Sequence, residues 1–126
     1  MAKEFMLRGK TVEEIKRMSL TEFAALVPSR ERRKLKRGFT DAEKIFIEHL
    51  SKKKKEYKTQ CRDIPVIPSM IGKIIRVYSG KEFVPVLIIP EMLGHRLGEY
   101  VMTRKKVSHS APGIGATRSS ASLSVR

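Results

Sequence analysis

SGKEFVPVLIIPEMLGHRLGEYVMT, residues 79–103, is the stretch around which the chain is organised. It begins with the turn Ser79-Gly80-Lys81, runs through the apolar segment Phe83 to Ile89, breaks at Pro90 and returns through Leu93-Gly94-His95-Arg96-Leu97-Gly98-Glu99-Tyr100. Just before it, Lys73-Ile74-Ile75-Arg76-Val77-Tyr78 alternates in polarity, so the two runs and their turn read as a β-hairpin. Pro85 has no N–H for a ladder and must lie at a sheet edge or a bulge. Two glycines four residues apart, with a basic pair between them, suit a backbone that folds tightly while presenting charge.

Moving outward, Thr59 to Asp63 reads as a strand and Ile64-Pro65-Val66-Ile67-Pro68 as a proline-bounded turn. Pro68 opens a short helical turn through Met70 and Ile71 before Gly72. The first 58 residues are helical in pattern. Thr11-Val12-Glu13-Glu14, Ser19-Leu20-Thr21-Glu22 and Thr40-Asp41-Ala42-Glu43 are capping boxes, in which a hydroxyl caps a free N–H and a glutamate reaches back to the cap residue. The spacing predicts helices over 12–18 and 20–26, which pack as a small hairpin, a charged helix over 29–37, and a longer helix over 41–56 with one side on the core.

Charge bounds the function. In 126 residues there are 27 Lys and Arg against 13 Asp and Glu, a formal net charge of +14 and a pI near 10.3. Such an excess repels itself in a bare globule, and a polyanion is its natural partner. No apolar run approaches the roughly 20 residues of a membrane span, and MAKEFMLRGK lacks the apolar region of a signal peptide, so the protein is expected to stay where it is made. Cys61 is the single cysteine. It reads as filling a small half-buried site, with a nucleophile as the alternative.

The candidate polyanion contacts follow the charge. Arg30, Arg32, Arg33, Lys34, Lys36 and Arg37 crowd the helix over 29–37, which is either a solvated surface helix or a phosphate-binding one that releases counterions. Lys52, Lys53, Lys54 and Lys55 fall at the end of the helix over 41–56, where cations favour both the dipole and phosphate. Arg62, Lys73, Arg76, Lys81 and Arg96 sit on strands or turns that can aim them at phosphates. Gly80, Gly94 and Gly98, with Ser79 in the turn, allow close approach of an RNA backbone. His95 and Tyr78 either stack on an unpaired base or belong to the rim of the core. His49 has no metal-ligand spacing and reads as a helix-face residue. From Thr103 onward there is no acid, while Arg104, Lys105, Lys106 and His109 lead a Ser/Gly-rich tail that is either a frayed end or an arm ordered by RNA.

Ser79-Gly80-Lys81, Ile88, Leu93-Gly94, His95-Arg96, Leu97-Gly98-Glu99-Tyr100 and Thr103, in that spacing, resemble the diagnostic motif of the ribosomal protein S-nineteen family of the small subunit. The likeness extends to Ile67-Pro68-Ser69-Met70-Ile71-Gly72 and Arg104-Lys105-Lys106, covering roughly residues 59–109, and the long helical N-terminus resembles the archaeal and eukaryotic form. The resemblance implies an α/β (α+β) fold with a small three-stranded sheet: a helical basic extension over 1–58, a core over 59–106 and a flexible basic tail over 107–126. It implies a structural constituent of the small ribosomal subunit in the cytoplasm, bound to rRNA of the 3′ domain in the subunit head near the decoding region. Ribosomal protein S-thirteen is the implied neighbour, and aminoacyl-site tRNA is within reach of the tail. No cofactor, metal, small-molecule substrate or membrane is implied. Two other readings stand beside it: a non-ribosomal basic nucleic-acid-binding protein, and an enzyme built on His95, Glu99 and Cys61, which nothing in the sequence brings together.

Overall fold

The computed structural model describes residues 3–108 and 113. Each of the three capping boxes opens a helix. Thr11 caps α1 (Val12–Arg17), Ser19 caps α2 (Leu20–Leu26) and Thr40 caps α4 (Asp41–Ser51), and in every case the glutamate carboxylate accepts the cap residue's N–H at 2.9 Å. Between α2 and α4 lies α3 (Ser29–Arg37), entered through Pro28 and ended at Gly38. The N-terminus carries an element the helical pattern does not announce: a small hairpin of β1 (Met6–Leu7) and β2 (Lys10–Thr11). Its two turn residues, Arg8 at φ 48° and Gly9 at φ 82°, have the positive φ that a two-residue hairpin turn demands.

Helix α4 and the strand that follows it differ most from the sequence reading, the strand expected over Thr59 to Asp63 being Tyr57–Thr59. Helix α4 stops at Ser51 and not at 56, because Leu50 is its last core residue and four lysines follow with nothing to bury. Lys52 turns extended, its N–H donating to the His49 carbonyl. Tyr57 then gathers the run: its hydroxyl donates to the Lys52 carbonyl at 2.7 Å and accepts the Lys54 N–H at 3.3 Å. Tyr57 is buried, so the strand begins there, as β3 (Tyr57–Thr59), and not at Thr59. At Cys61, half-buried against the core, the N–H donates to the Thr59 hydroxyl and the chain leaves the sheet.

The hairpin is present as β4 (Ile74–Tyr78) and β5 (Phe83–Leu87), paired antiparallel, with β3 parallel to β4 on its other side. Ser79 and Glu82 exchange a backbone bond, as do Lys73 and Ile88, so the alternation places Arg76–Pro85 at a non-bonded position. The position that would carry Pro85's missing N–H therefore faces the open edge, in keeping with the expected edge placement. The inner sheet face, with Ile75, Val77 and Val86, shares one core with Ile15, Phe23, Phe46 and Leu50 of the helices and with Ile64, Val66 and Met70 of the crossover between β3 and β4. This is an α+β fold with a three-stranded sheet, as expected. Among the described residues no helix is long and apolar enough to cross a membrane.

The crossover is fixed by backbone bonds to the segment 94–98: Val66 N–H to His95 O, Leu97 N–H to Ile64 O and Gly98 N–H to Arg62 O. Arg62 completes the junction. Its guanidinium donates to the carbonyls of Tyr78 at 2.6 Å, Gly98 at 2.7 Å and Val101 at 2.6 Å, joining the end of β4 to the helical turn Leu97–Tyr100. A Cβ on Gly98 would lie 3.1 Å from both the Cβ and the carbonyl oxygen of Arg62, so glycine is what lets these segments meet. Arg62→Ala should lower stability by about 3 kcal/mol or more, since three carbonyls lose their donor. Gly98→Ala should cost about 1–3 kcal/mol through overpacking. Thermal denaturation of both variants checks the pair; an unchanged Tm in either removes that contact from the account.

Candidate nucleic-acid interface

Helix α3 has two faces that divide its charges. Arg32 turns inward and caps α2, its Nε donating to Ala24 O at 3.1 Å and its Nη2 to Val27 O at 3.2 Å. These carbonyls would otherwise be left open at the end of α2. Lys34 is 2.9 Å from the buried carboxylate of Glu43, and Leu35 packs on the core. Arg30, Arg33 and Arg37, spaced three and four apart, form one exposed stripe, with Lys36 exposed as well.

Arg96 extends that stripe from the far end of the chain. Its Nε lies 3.4 Å from buried Glu31 and its Nη1 3.7 Å from Asp63, so the guanidinium is held in place beside α3. Arg30, Arg33, Lys34, Arg37 and Arg96 line a cleft of about 290 Å³. A second cleft of about 320 Å³ shares Arg30 and Arg96 and reaches Arg62, Asp63, Gly98 and Glu99. Together they form an open groove with guanidinium groups fixed on rigid elements, which is the arrangement that recognises phosphate oxygens.

The other candidates sort by what holds them. Lys73 donates to the Leu50 carbonyl at 2.7 Å, capping α4, and Arg76 pairs with Glu56 at 2.9 Å. Lys105 pairs with Glu82 at 2.6 Å, next to the hairpin turn where Lys81 stands exposed. Lys52 to Lys55, Arg104 and Lys106 are exposed, and Gly80 has open space around it. Gly94 faces inward, its missing Cβ being 3.3 Å from Val27 Cγ1. Tyr78 lies 5.1 Å from the Phe83 ring and donates its hydroxyl to Gly80 O, while Ser79 is buried and braces the turn through Glu82. His95 is exposed, with Nδ1 3.0 Å from Glu99 and its ring edge-on to Tyr100. Burial and then the neighbouring Glu99 charge raise the phenol pKa of Tyr100. His109 and the residues after it, Gly113 apart, lie outside the described residues. Sequence reasoning misses Lys58, whose exposed ammonium sits 5.8 Å from the Phe83 ring; only a strand starting at Tyr57 would have pointed it outward.

This geometry agrees with two comparisons. The family profile described as ribosomal protein S19 matches residues 32–109. The small ribosomal subunit protein uS19 of Methanococcoides burtonii is 49% identical over 117 residues, covering 93% of this chain and 85% of the relative. The chain belongs to the ribosomal protein S19 family. Members of the S19 family are structural ribosomal proteins and not enzymes. The archaeal relative also agrees with the archaeal-type resemblance of the sequence, and its similarity covers the helical N-terminus as well as the hairpin.

Within this S19 fold the Lys34–Glu43 contact links α3 to α4 and so holds the arginine stripe in place. Burial disfavours the Glu43 carboxylate, but the Lys34 ammonium and the Thr40 N–H outweigh it, and the pKa lies below the ordinary 4.5. A depressed carboxylate contributes stability that is complete above its unfolded value and is lost as pH falls through the folded one. Glu43→Gln should therefore lower Tm at neutral pH and reduce the further loss between about pH 5 and pH 3. Melting curves across that range test this, and an acid limb identical to the parent's would show that Glu43 does not drive it.

Proposed function

We propose that this chain is a structural constituent of the small ribosomal subunit that neutralises and clamps rRNA in the subunit head, in the cytoplasm. The observation that carries the proposal is the groove between α3 and Arg96, where Arg30, Arg33 and Arg37 are exposed and make no ion pair among the described residues, beside a guanidinium braced by Glu31 and Asp63. A braced guanidinium loses little further entropy on meeting a phosphate, so a groove of this kind supports tight and positioned binding. Lys36, Lys52 to Lys55, Lys81, Arg104 and Lys106 add exposed charge around it. Arg32, Arg62 and Lys73 act on this reading by shaping the fold, their donors being taken up by carbonyls. The resemblance to the S19 family supports the 3′-domain location near the decoding region, ribosomal protein S-thirteen as a neighbour, and tail contact with aminoacyl-site tRNA.

The test is a titration of the full chain against the head-domain rRNA fragment and an unrelated structured RNA of equal length, across a salt series. The head fragment should stay bound at salt that releases the other RNA. Replacing Arg30, Arg33 and Arg37 with alanine should leave Tm nearly unchanged and reduce the slope of log K against log salt by about 0.7–0.9 per lost phosphate contact. Equal loss of both RNAs would favour a general nucleic-acid-binding protein, and an unchanged slope would move the phosphate contacts off α3.

A further inference from the structure

The groove between α3 and Arg96 is not uniform along its length. Its α3 end is lined by Arg30, Arg33, Lys34, Arg37 and Arg96, cations alone, whereas the end toward the crossover presents the carboxylates of Asp63 and Glu99 beside Arg30, Arg62 and Arg96. Neither carboxylate is fully taken up by the fold. The Asp63 side chain is 84% exposed, and its one ion pair among the described residues is to Arg96 Nη1 at 3.7 Å, too long for a hydrogen bond. Glu99 is 49% exposed and engages His95 through Oε2, while its Oε1 has no hydrogen bond among the described residues. We propose that these two carboxylates accept hydrogen bonds from ribose 2′-hydroxyls, so that this end of the groove reads RNA as RNA while the α3 end holds its phosphates.

A groove for phosphate alone gains nothing from exposed acids, because they repel the ligand. Acceptor oxygens are useful only where the ligand brings donors. An RNA backbone brings one at every nucleotide, the 2′-hydroxyl, carried by the ribose whose 3′ oxygen bears the next phosphate. A phosphate held by Arg30 or Arg96 therefore delivers a neighbouring hydroxyl to the same cleft, whether the base is paired or not. Dinucleotide-binding proteins use the same chemistry, setting a carboxylate on a ribose 2′-hydroxyl beside a bound pyrophosphate. The guanidinium of Arg96, held 3.4 Å from Glu31 and close to Asp63, makes an acid tolerable in front of phosphate by offsetting its charge. A basic protein segment would also suit carboxylates, but it meets Arg30, Arg62 and Arg96 in the same cleft.

The inference deepens the ribosomal reading and rests on it. The head-domain rRNA fragment is transcribed in two pools, one with 2′-deoxynucleotides and one with inosine for guanosine, placed singly and at random, and each pool is fractionated by binding to the full chain. With the parent chain, 2′-deoxy substitution at a few nucleotides should be depleted at least several-fold from the bound fraction. Asp63→Ala and Glu99→Ala should each abolish that depletion at some of these nucleotides, and Asp63→Asn, which keeps an acceptor oxygen, should retain part of it. Asp63 is exposed, so its variants should melt near the parent Tm. An acid that only braces Arg96 or His95 changes affinity for the whole pool and leaves the pattern as in the parent, so an unchanged pattern in both alanine variants overturns the proposal. Relief of inosine depletion without relief of 2′-deoxy depletion overturns it too, by assigning the carboxylates to guanine N–H groups. A parent chain that selects the head fragment yet shows no 2′-deoxy depletion defeats the inference alone, whereas one that does not distinguish this fragment from an unrelated RNA counts against the ribosomal reading and takes the inference with it.

Discussion

The guanidinium of Arg62 is the constraint on which the rest of the structure depends. A half-buried cation with three carbonyl partners on two segments remote from its own is costly to leave unpaired and rigid once satisfied. It sets where the end of β4, the crossover and the turn Leu97–Tyr100 stand relative to one another. The crossover in turn brings Asp63 beside Arg96, and Arg96 reaches Glu31 on α3. The groove that faces solvent is thus assembled from chain segments 65 residues apart, Glu31 and Arg96.

A chain with a formal charge of +14 divides its cations between two tasks. Arg32 and Lys73 stop helices by capping carbonyls, Arg62 ties the core, and Lys34 fixes α3 to α4. Each of these commits donors to the fold and keeps the scaffold rigid, and Lys34 is also paired with the Glu43 carboxylate. The arginines left over lie in register along α3, so the net charge alone overstates the number of groups available to an anion. Which ones are available is decided by the few buried acids, Glu31 and Glu43 above all.

Much of this was legible in the sequence because it is local. Capping boxes, the hairpin turn and the edge proline depend on residues within a few positions of one another, and each was found where the pattern placed it. The end of α4 was read too late because helix propensity continues through Lys52 to Lys55, while the burial of Tyr57 that draws the chain into β3 is a tertiary effect. The roles of Arg62, Lys73, Gly94 and Gly98 were not legible for the same reason. Their partners lie 23 to 36 residues away for Lys73 and the Arg62–Gly98 pair, and no periodicity records such a distance. Charge composition could say that cations were numerous; only the fold says which way they point.

The Tyr57 hydroxyl has one more consequence. It bonds both Lys52 and Lys54, and the run between α4 and β3 is therefore a strap anchored at each end and pinned in the middle, not a free linker. Its four ammonium groups hang from a backbone whose span is already set, so an incoming anion orders side chains only. Backbone ordering costs about 1–2 kcal/mol per residue, and a strap that has met this cost during folding offers its charge at a lower threshold than an equally basic tail. The same four lysines in a loose terminus would carry the same charge and be a poorer ligand.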